Sequence, residues 1–552
     1  MEGDMGIRIF LTAKGADITP EFWERVYNES LVLLDSFPAR LTRLEAQKIG
    51  DEKRYVYTPD IVRKRDTPAE HWTVSGDMTT RQEAESFDLC RHHASQFADE
   101  YGSGDSNGYD VLWAEPDDEF EDFYGNGRLL WDSKTQGCLY HIAILAVGML
   151  IESRCPRSAY VIGDIDRSQA EQAKEWADAL LEKPIDLPVC VDADRLFRRT
   201  LEMYTHERQA FRRFSTLFRG EPGEVWPAIV RNVESSGVRE CLIEGLEDFE
   251  SIGSRGASEN VIGYLEATGD IAGLIETVGE ITSRGNVASE EYSIEALLRS
   301  LCAYSVTIPL EERTLPRPVG LPPLPADESD EDSWKTFVTL ALSLPTTEFY
   351  IPADQLLEHF SKTQPLNRER FKKMIKKRET KAREDRRWLS KKIGEFDRTD
   401  ASAEPETSNS EPPLSVEEQL RAEIASQTRR YPDQETLARE TGAMLRNGIL
   451  LSLPVDLLRD RDAMLRAMYR ASWENQIVLT APSWERIDAL QNLEVLRHLV
   501  GLASVPSTEL HFWNWRRHLL ERPDLWVKLL GPFSVQGAAE VSAPDVRSNL
   551  AR

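Results

Sequence analysis

The pattern of apolar and polar positions changes character once along the chain. Up to about residue 205, short apolar runs of strand type alternate with helical stretches. Beyond it, nearly every periodic segment repeats at helical spacing. Residues 7–11 read as a strand. Thr19 with Pro20 starts a helix over 21–37, where Phe22, Val26, Leu33 and Phe37 recur near helical period. Short strands follow at 40–49, 54–58 and 71–75, then a helix at about 80–98 and a Gly- and Asn-rich loop over 102–127. The stretch 136–153 is apolar on most faces and predicts a helix central to a core.

A β-α-β-α order then appears. Strands are expected at 158–163 and 187–191, each followed by a helix (168–181 and 195–204), so neighbouring parallel strands are the expected arrangement. From 206 to 305, helical pieces are broken near Gly220, Gly237, Gly253, Gly269 and Gly285. A stacked-helix array fits this pattern, although no fixed-period repeat marks it. The C-terminal part is helical with one strand candidate at 476–480.

Two linkers interrupt the helices. Residues 309–333 carry five prolines from Pro316 to Pro325 and the run Asp327-Glu-Ser-Asp-Glu-Asp332; residues 399–414 are rich in Ser, Glu and Pro. The expected fold is therefore multidomain and mainly α, an N-terminal α+β (or α/β) domain followed by helical modules. Its parts are an α+β domain at 1–205, a helical domain at 206–308, the Pro/acid-rich linker 309–333, a helical module at 334–398 ending in a basic helix, the disordered linker 399–414, a C-terminal helical domain at 415–533 and a disordered tail at 534–552.

Composition narrows the class. Of 552 residues 41% are hydrophobic and 29% charged, enough apolar material for real cores. The net charge of −27 repels phosphate backbones and anionic membranes at long range. The most apolar run, 142–151, is about half of what a bilayer crossing needs, so no membrane association is expected. Six scattered cysteines without a Cys-X-X-Cys pair fit a soluble protein of the reducing cytoplasm.

Three features carry candidate chemistry. Asp164 with Asp166, and Asp192 with Asp194, close two apolar runs as Asp-X-Asp turns. Carboxylates two apart on an extended strand end point to one side and suit a hard cation such as Mg²⁺. The same residues also suit helix capping, with Ser168-Gln-Ala-Glu171 matching a capping box. Cys138 opens the apolar helix, where a helix N-terminus can lower a thiol's pKa and make it a catalytic nucleophile, with His141 one turn on. The third is the helix 367–398, which holds 14 Lys or Arg against 6 Asp or Glu and leaves the remaining chain at −35. Lys372, Lys373, Lys376, Lys377, Arg378, Arg386 and Arg387 are its candidate interaction residues, facing an acidic segment, a partner protein or nucleic acid.

The leading functional expectation is a non-catalytic protein–protein interaction, scaffolding or regulatory role. A divalent-metal-dependent enzyme with its site in 1–205, and a nucleic-acid-associated regulator acting through 367–398, are the alternatives. The aromatic cluster His511–His518 is expected to pack in a core with its arginines facing solvent.

Overall fold

The computed structural model describes residues 7–77, 82–98, 109–115, 125–284, 291–313, 347–363, 367–400, 415–427, 433–452, 460–506 and 510–530. The chain is mainly helical, with small sheets. It divides into two compact units, neither of them a continuous segment. Residues 1–106, 127–186 and 414–552 make the first, and 107–126 with 187–413 the second. The consecutive modules read from the sequence are thereby regrouped: 187–205 joins the helices that follow it, and 414 onward joins the N-terminal part. Both linkers beyond residues 313 and 400, the tail 534–552, and residues 102–108 and 116–124 of the Gly- and Asn-rich loop lie outside the described residues.

The first unit begins with strand β1 (Arg8–Ala13) and helix α1 (Pro20–Ser36). Thr19 caps α1 by accepting the Phe22 amide at 3.3 Å, and Pro20 sits at the first position, where a missing N–H costs nothing. Trp23, Val26, Tyr27, Leu33 and Leu34 form its buried stripe. Strands β2 (Arg43–Ile49) and β3 (Glu52–Thr58) make a hairpin through Gly50 at φ +60°, a conformation that favours glycine. After β4 (Val62–Arg63), β5 (His71–Asp77) pairs antiparallel with β6 (Gln82–Cys90).

The helix expected over 80–98 is therefore corrected: residues 82–90 are a strand, and only the single turn His93–Gln96 is helical. Gln, Glu and Ala favour a helix locally, but Phe87 and Leu89 alternate inward against Val74 and Trp72, and that pairing overrides propensity. Strand β7 (Arg128–Lys134), helix α2 (Tyr140–Arg154), strand β8 (Ala159–Gly163) and helix α3 (Arg167–Asp178) follow. The sheet order is β7-β1-β8, and both partners of β1 run antiparallel to it. The second expected strand, 187–191, is a short 3-10 turn at Val189–Val191, so the expected parallel pairing of 158–163 with 187–191 is corrected. Pro184 and Pro188 beside it lack the N–H that a strand ladder needs.

The second unit is a two-layer helix stack. Its members are α4 (Ala193–Met203), α5 (Glu207–Leu217), α6 (Val225–Asn232), α7 (Ser235–Glu247), α8 (Arg255–Thr268), α9 (Ile271–Arg284), α10 (Ile294–Ala303), α11 (Leu310–Arg313), α12 (Ala353–Thr363) and α13 (Arg368–Asp400). One layer runs α4, α6, α8, α10, α13, each helix packed on the next; the other runs α5, α7, α9, α12. Gly263 lets α8 approach α6, because a Cβ there would meet Trp226 at 2.2 Å. Gly269 at φ +67° ends α8, as its position predicts. The break expected near Gly237 falls at Val233 and Glu234, and Gly237 itself lies in the first turn of α7. Ion pairs knit the second layer: Arg208 and Arg212 of α5 meet Glu244 of α7, and Arg239 of α7 meets Glu276 of α9.

The C-terminal segment returns to complete the first unit. It holds α14 (Gln434–Asn447), α15 (Arg461–Glu474), β9 (Val478–Thr480), α16 (Ala481–Ala489), α17 (Leu493–Ala503), α18 (Leu510–Glu521) and α19 (Pro523–Leu529). Strand β9 pairs parallel with β3, placing Val56 beside Leu479. Val56 enters a core with Leu445, Met468, Trp484, Leu499 and Leu519. Trp484 donates its indole N–H to the Tyr55 carbonyl at 2.8 Å, and Tyr55 stacks on Trp473 at 4.2 Å. Arg54 lies over Trp484 at 4.9 Å and pairs with Asp488 at 2.8 Å.

Arg516 and Arg517, expected in solvent, are 1% and 2% exposed. Arg516 donates to the carbonyls of Val505 and Asn475, which follow the C-terminal ends of α17 and α15. The negative ends of two helix dipoles thus face its charge. Arg517 pairs with Glu83 of β6. Among the described residues, no helix is long and apolar enough to cross a membrane.

Candidate interaction surface

Helix α13 forms because Lys, Arg and Glu, all good helix formers, dominate its sequence, and Asn367 caps it by accepting the Arg370 amide at 3.1 Å. Phe371 and Ile375, four apart, are buried against the stack, worth about 2 kcal/mol each. Polar contacts flank that face. Arg370 pairs with Glu295 of α10 at 2.9 Å, Lys372 with Asp354 of α12 at 3.0 Å and Arg383 with Glu312 of α11 at 2.6 Å, while Glu379 accepts from Thr307 at 2.8 Å.

At 100° per residue, the opposite side of the helix carries Lys373, Lys376, Lys377, Thr380, Lys381 and Glu384. These six residues line a shallow surface concavity, and all are exposed. Among the described residues no carboxylate forms an ion pair with Lys373, Lys376, Lys377 or Lys381. Like charges three and four apart repel by a few tenths of a kcal/mol per pair on a helix, so the strip is electrostatically unsatisfied.

The seven sequence candidates are thus divided. Lys373, Lys376, Lys377 and the exposed Arg387 belong to the open side. Lys372 is tied to Asp354, Arg378 is exposed but lies on the side of Phe371 and Ile375, and the Arg386 side chain lies outside the described residues. Lys381 was missed, although the i+4 step from Lys377 marks it.

The two Asp-X-Asp turns belong to different units. Gly163 at φ +142° precedes the first, where a Cβ would meet the Arg8 carbonyl oxygen at 2.4 Å. Asp164 accepts the Arg8 amide at 2.9 Å. Asp166 caps α3 and closes a capping box with Gln169, so the box lies two residues earlier than the Ser168–Glu171 pattern predicts. Asp192 caps α4 through the Arg195 amide at 3.0 Å. Asp194 pairs with Arg198 at 2.9 Å and Arg231 at 3.0 Å and accepts from Asn232. Burial raises its pKa, but these partners outweigh burial and hold it below the usual carboxylate value. Among the described residues, no group of three His, Cys, Asp or Glu is placed to hold a metal ion.

Cys138 precedes α2, which starts at Tyr140. Burial pushes its thiol up to about 11, the reverse of the lowering that a helix N-terminus favours. His141 is 4% exposed and shares a 2.8 Å hydrogen bond with Thr135. Burial lowers its pKa to about 4, against the weaker upward pull of Asp166 and Asp164. At neutral pH Cys138 is therefore a thiol whose sulfur faces the Glu83 carbonyl, and His141 is a neutral imidazole bonded to Thr135. Iodoacetamide at pH 7.5 is expected to label native Cys138 at least tenfold more slowly than the same residue in the urea-unfolded chain, followed by peptide mapping. Equal rates would show an accessible thiolate.

Comparison of the chain with protein-family models, with curated proteins and with solved structures finds no match in any of the three.

Proposed function

We propose that this protein is a non-catalytic interaction protein of scaffolding or regulatory type, whose second unit presents the lysine strip of α13 to an anionic partner. The observation that supports this reading is the division of α13 itself. One side is buried and ion-paired, while the other keeps Lys373, Lys376, Lys377 and Lys381 without a carboxylate among the described residues. A layered helix stack suits such a role, because each helix contacts mainly its neighbours and leaves extended faces for recognition. The six cysteines, none of them in a disulfide, accord with the reducing cytoplasm.

The test is a nuclease-treated pull-down from source-cell lysate with the full chain and with a Lys373→Glu, Lys376→Glu, Lys377→Glu variant. Proteins that elute as salt rises, and that the variant fails to retain, are the expected result. Identical captures by both chains would sink the reading.

A further inference from the structure

Among the described residues, the open side of α13 is also where the helix stack stops. In the layer α4, α6, α8, α10, α13, every helix before the last is covered by its successor; among the described residues none succeeds α13. Resting on the reading above, we propose that the partner contributes an acidic α-helix that lies along α13 as the next member of this layer, its carboxylates against Lys373, Lys376, Lys377 and Lys381.

The geometry supports a helical occupant. Lys373, Lys377 and Lys381 recur every four residues, about 6 Å apart along the axis. A partner helix with Glu or Asp at three- and four-residue spacing repeats at the same pitch, and helices pack about 8–10 Å apart, within reach of extended Lys and Glu side chains. From Lys373 to Arg387 the strip spans about 21 Å, so the occupant needs roughly four turns.

Charge separates an acidic helix from nucleic acid. The chain outside 367–398 carries −35, and a duplex adds a charge every ~1.7 Å well past the ends of the strip, into that repulsion. A short helix confines its carboxylates to the lysines. Glu384 within the strip suits a partner that brings some basic residues of its own.

The probe is a fluorescein-labelled alanine-based peptide of about 20 residues with Glu at three- and four-residue spacing. It is compared with its Gln counterpart and with a short DNA duplex, by anisotropy against the full chain at low salt. The expected result is binding of the Glu peptide alone, weakened about tenfold by Lys373→Glu with Lys377→Glu and less by the Gln replacements. Unchanged thermal unfolding of both variants shows that the fold is intact.

Binding of the duplex in place of the peptide overturns the acidic-helix assignment. So does peptide binding that appears only after Asp327, Glu328, Asp330, Glu331 and Asp332 are changed to Asn or Gln, because the chain's own acidic run is then the occupant. Failure of the peptide while the lysate capture stays sensitive to the lysine reversal sinks only this inference. Failure of both sinks the interaction reading as well.

Discussion

Replacing Glu83 with Gln is expected to destabilise the first unit by about 3–5 kcal/mol, because it leaves the Arg517 guanidinium buried without its carboxylate. The two side chains are 8% and 2% exposed, so water cannot take over the lost interaction as it does at surface pairs. The pair also joins distant parts of the chain, β6 near the N-terminus and α18 near the C-terminus. Thermal unfolding followed by near-ultraviolet circular dichroism should show a fall in Tm of roughly 10 °C. The double replacement Glu83→Leu, Arg517→Met should recover much of that loss, since removing both charges removes the uncompensated one. A Glu83→Gln variant as stable as the parent would show that Arg517 is hydrated.

Ending the chain at Pro413 is expected to abolish folding of the first unit. Residues 1–413 would then expose Val56, Tyr57 and the free edge of β3, which β9 and the C-terminal helices cover in the intact chain. Each large apolar side chain lost from that core is worth about 1.5–3 kcal/mol, so a handful exceeds the roughly 5–15 kcal/mol that holds a domain together. The truncated chain should appear in the insoluble fraction, and co-expression of residues 414–552 should return it to the soluble one. A monomeric truncated chain with an unchanged cooperative transition would show that the N-terminal strands fold without the C-terminal helices.

Features read correctly from the sequence share a short range. Thr19 with Pro20 and Gly269 after α8 act through their own backbone and the next few residues, so a window of a few positions contains the whole cause. The basic helix is legible for the same reason, and its seven candidates include three of the four strip lysines.

The errors share a different cause. Residues 82–90 have helical propensity, and only pairing with β5 makes them a strand. Arg516 and Arg517 resemble solvent-facing residues until two helix C-termini and Glu83 are brought to them. Capping is one of the two uses that residue type allows Asp166 and Asp192, and which backbone amide each carboxylate meets depends on where α3 and α4 begin.

By itself, then, the sequence determined the helical character, several caps and turns, and the concentration of positive charge in one helix of an acidic chain. The tertiary structure decided which segments form one body, which arginines are buried and which lysines stay open. The physical reason is range. Periodicity and capping act over a few residues, whereas the bond between Trp484 and Tyr55 joins positions 429 residues apart and exists only once the chain has closed on itself.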